Sequence, residues 1–235
     1  AVEAITKPAG ANGVLKSPPR SGKTVMAVAA ICRIGQRAII MGSQTEWLAQ
    51  FEETFLGSDT APPLTTAKRS QIGYPKKLED FDKYDVSLCT LSMFKSEKGK
   101  RLLKKLRDKF PVVIIDEVQY VPAEGCARVV AGFNAKWIIG LSGSPERKNT
   151  AEYKIVEDIV GGILYEVEME RARPTIQVLP MPKPSKNEFQ IKGHGHYAFT
   201  SLVSKLESST PRRNTICNKA ISLAKQGHMV LIPLT

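Results

Sequence analysis

The chain alternates between short runs that are apolar at nearly every position and longer segments that are apolar at every third or fourth. Runs of the first kind read as strands buried on both faces, and segments of the second as amphipathic helices. The pattern predicts strands over 13–17, 37–43, 85–94 with its exit, 111–117 and 135–145. It predicts helices over 22–35, 45–56, 98–110 and 150–161, and a Pro- and Thr-rich loop over 57–70. Residues 1–10 read as the tail of a helix already under way, without a start Met, so a chain trimmed at its front is expected. Repeated strand–helix alternation of this type predicts a parallel sheet with helices on both faces and a ligand site at the carboxyl ends of the strands. The polar clusters SPPRSGKT, GSQTEW, DEVQY and SGSPERK each follow an apolar strand.

Near residue 170 the texture changes. The segment 171–189 is rich in proline and suits an extended linker. Helical patterns follow over 196–208 and 212–227, and the apolar stretch 228–235 reads as the first strand of a second unit. The expected organisation is a first domain over 1–169, a linker over 170–190 and an incomplete second domain over 191–235.

Lys and Arg number 34 against 23 Asp and Glu, a net charge of +11 over 235 residues. An excess of this size favours a polyanionic partner, nucleic acid before a membrane surface. No apolar run reaches the roughly 18 residues a membrane span needs, and no secretion signal opens the chain. Cys32, Cys89, Cys126 and Cys217 are too far apart in sequence for a Cys-x-x-Cys motif and read as free thiols of a reducing compartment. His194 and His196 lack further ligands nearby and read as part of a loop rather than a metal site. A cytoplasmic protein is expected, in a bacterial or phage-infected cell, or a nuclear one if the source is eukaryotic.

The candidate chemistry lies in two strand exits. Gly22-Lys23-Thr24 opens a helix directly after a strand, although Ser17 stands where a phosphate loop usually has its first glycine. Such a place offers converging backbone N–H groups to phosphates, a lysine to the β- and γ-phosphates and a hydroxyl to Mg²⁺. The second exit, VVIIDE, ends in Asp116 and Glu117. Asp116 would hold Mg²⁺, directly or through water, and Glu117 would serve as general base. ATP and Mg²⁺ are therefore the expected cofactors.

These segments together resemble superfamily 2 helicases and translocases of the DExH type, in family order over residues 13–235. SPPRSGKT is similar to motif I, MGSQTEWLAQF to motif Ia and LCTLSMF to the next backbone-contacting motif. DEVQY resembles motif II, LSGSPER motif III, and 212–235 the start of the second RecA-like domain up to motif IV. The resemblance implies an α/β fold, a RecA-like parallel sheet of the P-loop NTPase class followed by a partial second RecA-like domain. It implies a nucleotide loop of Pro19, Arg20, Ser21, Gly22, Lys23, Thr24 and Val25, with Thr24 and Asp116 on Mg²⁺ and Lys23, Asp116 and Glu117 in the hydrolytic chemistry. Gln119 and Ser142 would relay the state of the γ-phosphate, and Gln44, Thr45, Thr90 and Ser92 would contact a nucleic-acid backbone. Arg20 stands where a glycine is usual, Gln119 where a histidine is usual, and Ser142-Gly143-Ser144 replaces Ser-Ala-Thr. The arginine fingers of motifs V and VI have no counterpart in these 235 residues, which implies one lobe, a linker and the beginning of the next.

The expected function is that of an ATP-dependent DNA helicase or a translocase that remodels forked or branched DNA. Single-stranded, forked or branched DNA is the expected partner, ahead of RNA, in a replication, repair or recombination setting close to the phage branch. Two other readings are a motor subunit of a restriction nuclease and a non-catalytic module that binds ATP and DNA. The basic helix, with Lys95, Lys98, Lys100, Arg101, Lys104, Lys105, Arg107 and Lys109, reads as a solvated amphipathic helix in preference to a phosphate track. Trp47 and Phe51, four apart, read as packing residues in preference to base-stacking ones.

Overall fold

The computed structural model describes residues 1–123, 125–146, 150–168, 180 and 196–230. It divides into two compact units, Ala1–Arg171 and Ala172–Thr235. The first holds seven strands: β1 (Ala11–Lys16), β2 (Ala38–Gly42), β3 (Ile72–Gly73), β4 (Val86–Thr90), β5 (Val112–Asp116), β6 (Trp137–Ser142) and β7 (Ile163–Glu166). Its helices are α1 (Val2–Ile5), α2 (Lys23–Ile34), α3 (Thr45–Leu56), α4 (Leu78–Phe81), α5 (Glu97–Leu106), α6 (Cys126–Ala131) and α7 (Thr150–Ile159). The strands form one sheet in the order β3-β4-β2-β5-β6-β1-β7, and every pairing is parallel.

The apolar runs are continuous because both faces of the sheet are covered. Ile40, Leu88, Ile114, Ile139 and Leu141 point to one face, where they meet Ala27, Val28 and Ile31 of α2 and Leu48, Phe51 and Phe55 of α3. Ile39, Met41, Cys89, Val113 and Ile115 point to the other, under Leu103 and Leu106 of α5, Val129 and Val130 of α6 and Val156 of α7. With about 25 cal/mol for each Å² of apolar surface removed from water, two such interfaces dominate the stability of the unit. Phe51 is 1% exposed within the first of them, so it is a packing residue.

The elements expected from the sequence are present with shifted ends: β1 begins two residues and α5 one residue earlier than expected, and both stop sooner. Helix α3 has the predicted bounds, and α2 stops at Gly35, whose N–H donates to the carbonyl of Ile31. The predicted strand over 111–117 begins one residue later, because Pro111 lacks an N–H and serves the sheet through its carbonyl, which accepts from Lys136 and Trp137. The predicted strand over 85–94 ends at Thr90, and Leu91–Phe94 coil into a tight 3₁₀ turn. Strands β3 and β7 and helices α4 and α6 were not foreseen.

In the second unit, α8 (His196–Ser208) and α9 (Thr210–Lys225) occupy the two predicted helical segments. His228, Met229 and Val230 of the predicted last strand are irregular, and 231–235 lie outside the described residues. So does all of the expected linker 170–190 except Pro180, together with His194. Among the described residues, no helix is long and apolar enough to cross a membrane.

Candidate functional site

The strand order sets β5, β6 and β1 side by side, so their carboxyl ends and the loops that follow form one surface. Lys16 lies opposite Ser142, and Asp116 opposite Leu141. The register continues one residue into the loop, where the N–H of Ser17 donates to the carbonyl of Ser142 at 2.8 Å. The three predicted strand exits therefore meet.

After Ser17 the chain turns through Pro18, Pro19 and Arg20. Arg20 has φ +65°, a left-handed conformation unusual for a residue with a side chain. It occupies the backbone geometry that a glycine would hold more easily, while its side chain remains exposed. Ser21 steadies the turn: its hydroxyl contacts that of Ser17 and donates to the carbonyl of Pro18 at 2.5 Å. Gly22, at φ +82°, caps α2. Met26 is the first residue of α2 whose N–H finds a carbonyl behind it, that of Gly22 at 2.9 Å. The N–H groups of the first turn, Lys23 to Val25, thus point out of the helix end, where the dipole favours an anion. Lys23 folds back over the loop, and its Nζ donates to the carbonyl of Ser17 at 3.3 Å.

Asp116 ends β5 and faces this loop. Burial, and then the charge of Glu117, push its carboxyl up to about 6, against smaller opposing effects of a hydrogen bond from the Glu117 backbone N–H and of the charge of Lys23. Among the described residues it forms no ion pair. Glu117 has φ +51°, the second side chain held in the left-handed region. Its carboxylate accepts from the amide of Gln119, whose Oε1 accepts from the Ser142 hydroxyl at 2.6 Å. That hydroxyl oxygen accepts in turn from the N–H of Ser144 at 3.0 Å. A continuous hydrogen-bonded chain runs from the end of β5 to the end of β6.

This donor set fits a nucleoside triphosphate with a divalent cation. The helix end and Lys23 supply positive charge for phosphates. Asp116 is a half-buried carboxylate at the end of β5, an oxygen ligand of the kind a divalent cation takes. Thr24, half-buried in the first turn of α2, adds a hydroxyl. Pro19, Arg20 and Val25 are exposed on the rim.

The four candidate backbone-contacting residues fall on the neighbouring strands. Gln44 and Thr45 are exposed at the start of α3, with Gln44 as its extended cap residue. Gly42 lies opposite Thr90, which places these residues beside the β4 exit, where the hydroxyls of Thr90 and Ser92 are 2.9 Å apart. Three arrangements have no counterpart in the sequence reading. The ring of Trp47 lies 6.3 Å from that of Tyr120, tilted by 34°, so α3 touches the turn after Glu117. Gly143 fits against Pro19: a β-carbon there would lie 3.3 Å from the Pro19 ring and from the Ser17 carbonyl. Lys16 bridges Glu146 at 3.0 Å and Glu166 at 3.1 Å, and these bonds raise its proton affinity. Only Glu146 lay within a recognised motif.

Residues 1–147 match the family described as type III restriction enzyme, res subunit. A putative DNA 3'-5' helicase Rad25 of Halobacterium salinarum is 29% identical over 144 residues, which are 61% of this chain and 22% of that protein. A putative helicase 22 of Sulfolobus islandicus filamentous virus is 25% identical over 241 residues, covering 94% of this chain and 42% of the relative. The chain thus spans well under half the length of these relatives. Among solved structures, the Hef helicase domain of Pyrococcus furiosus superposes with a TM-score of 0.54 at 17% identity, covering 68% of this chain and 35% of that one. The SWI2/SNF2 ATPase core of Sulfolobus solfataricus, solved with dsDNA, gives 0.51 at 16% identity, covering 68% and 33%. Both share the RecA-like α/β fold.

Proposed function

Because the chain belongs to the type III restriction enzyme res subunit family, within the superfamily 2 helicases, we propose that it carries the ATP-hydrolysing first lobe of a DNA helicase or branched-DNA-remodelling translocase. Residues 1–169 form that lobe, 170–190 link it onward, and 191–235 begin a second RecA-like domain. The observation that carries the reading is the chain Glu117–Gln119–Ser142, set beside Lys23 and Asp116 at the ends of three adjacent strands.

In this reading the N–H groups of the first turn of α2 and the side chain of Lys23 bind the phosphates of ATP. Lys23 releases the Ser17 carbonyl to do so. Thr24 and Asp116 hold Mg²⁺, which when bound neutralises charge that develops on the phosphate oxygens. Glu117 orients the attacking water and accepts its proton. Gln119 and Ser142 keep Glu117 in register with the β6 exit. Gln44, Thr45, Thr90 and Ser92 grip the DNA backbone, whose phosphates match the charge of +11.

The test is ATP hydrolysis by the full-length protein, alone and with single-stranded DNA, duplex DNA, a fork and RNA. Strong stimulation by forked DNA, lost in Glu117→Gln, is expected. Hydrolysis indifferent to every nucleic acid would overturn the motor reading and leave a phosphate site. A restriction-motor role rests on the family match over residues 1–147 alone, and ATP-dependent cleavage of DNA by the full-length protein would establish it instead.

A further inference from the structure

A groove of about 390 Å³ lies beyond the β4 exit, between the turn that leads into α4 and one face of α5. Five cations line it: Lys76 and Lys77 from the turn, and Lys98, Arg101 and Lys105 from the helix. The helical three recur at positions i, i+3 and i+7 and so share one face, while Leu103 and Leu106 are buried on another. One acid, Glu79, lines the same groove. The other nearby carboxylates are engaged elsewhere. Asp80 pairs with Lys83 at 3.0 Å and accepts from the N–H groups of Lys76 and Lys77, and Glu97 pairs with Lys100 at 2.5 Å. None of the five groove cations forms an ion pair with a described residue. Gathering five positive charges around a single carboxylate costs free energy that a bound polyanion would recover.

We propose that this groove is a second phosphate-binding segment, which holds nucleic-acid backbone beyond the Thr90–Ser92 contact. The proposal rests on the nucleic-acid reading above and extends it. Continuity favours that occupant: Met93, next to Ser92 in the same 3₁₀ turn, is part of the groove wall. A membrane surface is disfavoured, because the apolar wall residues Leu78, Met93 and Leu102 are packed against the core and offer nothing to insert. A larger hollow of about 580 Å³ across α5 carries Lys95, Lys100 and Arg128, but Glu97 already engages Lys100 and feels the charge of Arg128.

The test measures binding of a fluorescein-labelled DNA fork to the full chain without nucleotide, across a salt series. The groove variant carries Lys77→Ala, Lys98→Ala and Arg101→Ala; a control of equal charge carries Lys7→Ala, Lys104→Ala and Arg107→Ala. Each lost phosphate contact lowers the slope of log Kd against log salt by about 0.7–0.9. The groove variant is expected to lose about 2 to 3 in slope and to bind at least about tenfold more weakly near 0.1 M salt, with an unchanged melting curve. The charge-preserving set Lys77→Arg, Lys98→Arg and Arg101→Lys restores binding. An unchanged slope, or an equal loss in the control, overturns the groove while the motor reading stands. Polyglutamate that displaces the fork as well as unlabelled DNA does would assign the groove to an acidic protein and overturn it too. A wild-type chain that binds no DNA at any salt removes the nucleic-acid reading and the groove together.

Discussion

The hydroxyl of Ser142 donates to Oε1 of Gln119 at 2.6 Å, across the gap between the exits of β6 and β5. Gln119 uses its other end on Glu117, so one amide ties the proposed base to the strand that follows it in the sheet order. A glutamine suits this place because it offers a donor to a carboxylate and an acceptor to a hydroxyl at once. Leucine removes both. Gln119→Leu and Ser142→Ala are each expected to lower kcat for ATP about tenfold or more while ATP binding changes little. The double variant should fall no further than the worse single, since both break one chain. Additive losses in a full double-mutant cycle would show two independent roles.

Asp116 carries the clearest pH signature. Its folded pKa of about 6 lies above the ordinary 3.8, so the folded state binds a proton more tightly than the unfolded chain. Stability therefore rises as pH falls from about 6 to about 4 through this group, and the ionised form costs stability at neutral pH. Asp116→Asn removes that cost. It should stabilise the protein at pH 7 by about 1–3 kcal/mol, a rise in Tm of several degrees, and should abolish ATP turnover. The turnover of the wild type should fall on the acid side near pH 6, and the fall should move to lower pH as Mg²⁺ is raised, because metal and proton compete for one carboxylate. Paired thermal melts and pH–rate profiles check both.

The sheet centre was legible because both of its faces are covered. Residues such as Ile39 and Ile40 point opposite ways and are both fully buried, which leaves an apolar run no loop would carry. Strand β3 has two residues and β7 alternates weakly at an exposed edge, so neither has a period long enough to detect. Asp116 and Ser142 were legible because each stands at the end of an apolar run, and Lys23 because Gly22-Lys23-Thr24 opens a helix soon after one. The Lys16 bridges and the Trp47–Tyr120 contact were not, because their partners are distant in sequence and meet only through the strand order. Basic helix α5 shows the same limit. Its charges suggested a solvated face, and their convergence with Lys76 and Lys77 needed β3 beside β4.

Lys16 lies at the end of β1, next to the phosphate loop, and holds Glu146 after β6 and Glu166 at the end of β7. Its raised proton affinity keeps the bridge charged through neutral pH, and this stability is lost only as pH rises through the folded Lys16 value, above 10.5. Both carboxylates are about half exposed, so the pair is worth about 1 kcal/mol or less and weakens with salt. Lys16→Met should therefore change Tm little at high salt. At low salt it should loosen the Glu146 loop, measured as faster amide exchange at Ser144 and Glu146. Unchanged exchange there would reduce the bridge to a surface contact.

Gly143 and Pro19 fit as a pair. The sequence departs at Gly143 from the motif it resembles, and the structure sets that position against the phosphate loop: a β-carbon on residue 143 would stand 3.3 Å from Pro19 Cδ and 3.7 Å from Lys23 Nζ. The first of these is tighter than ordinary van der Waals contact, and the proline ring cannot rotate away as a flexible side chain would. Gly143→Ala should push the loop outward by a few tenths of an ångström and displace Lys23 from the phosphate position. A roughly three- to tenfold weaker Kd for ATP is expected, with kcat less affected. Pro19→Ala alone should change little, because it removes one obstacle without adding an atom. In combination it should restore part of the affinity lost in Gly143→Ala, because the Ser17 carbonyl, also 3.3 Å from the added β-carbon, stays in place. Isothermal titration of the four proteins reads the result directly. A double variant no better than Gly143→Ala would mean that the glycine serves the backbone of the β6 exit and not the fit to Pro19.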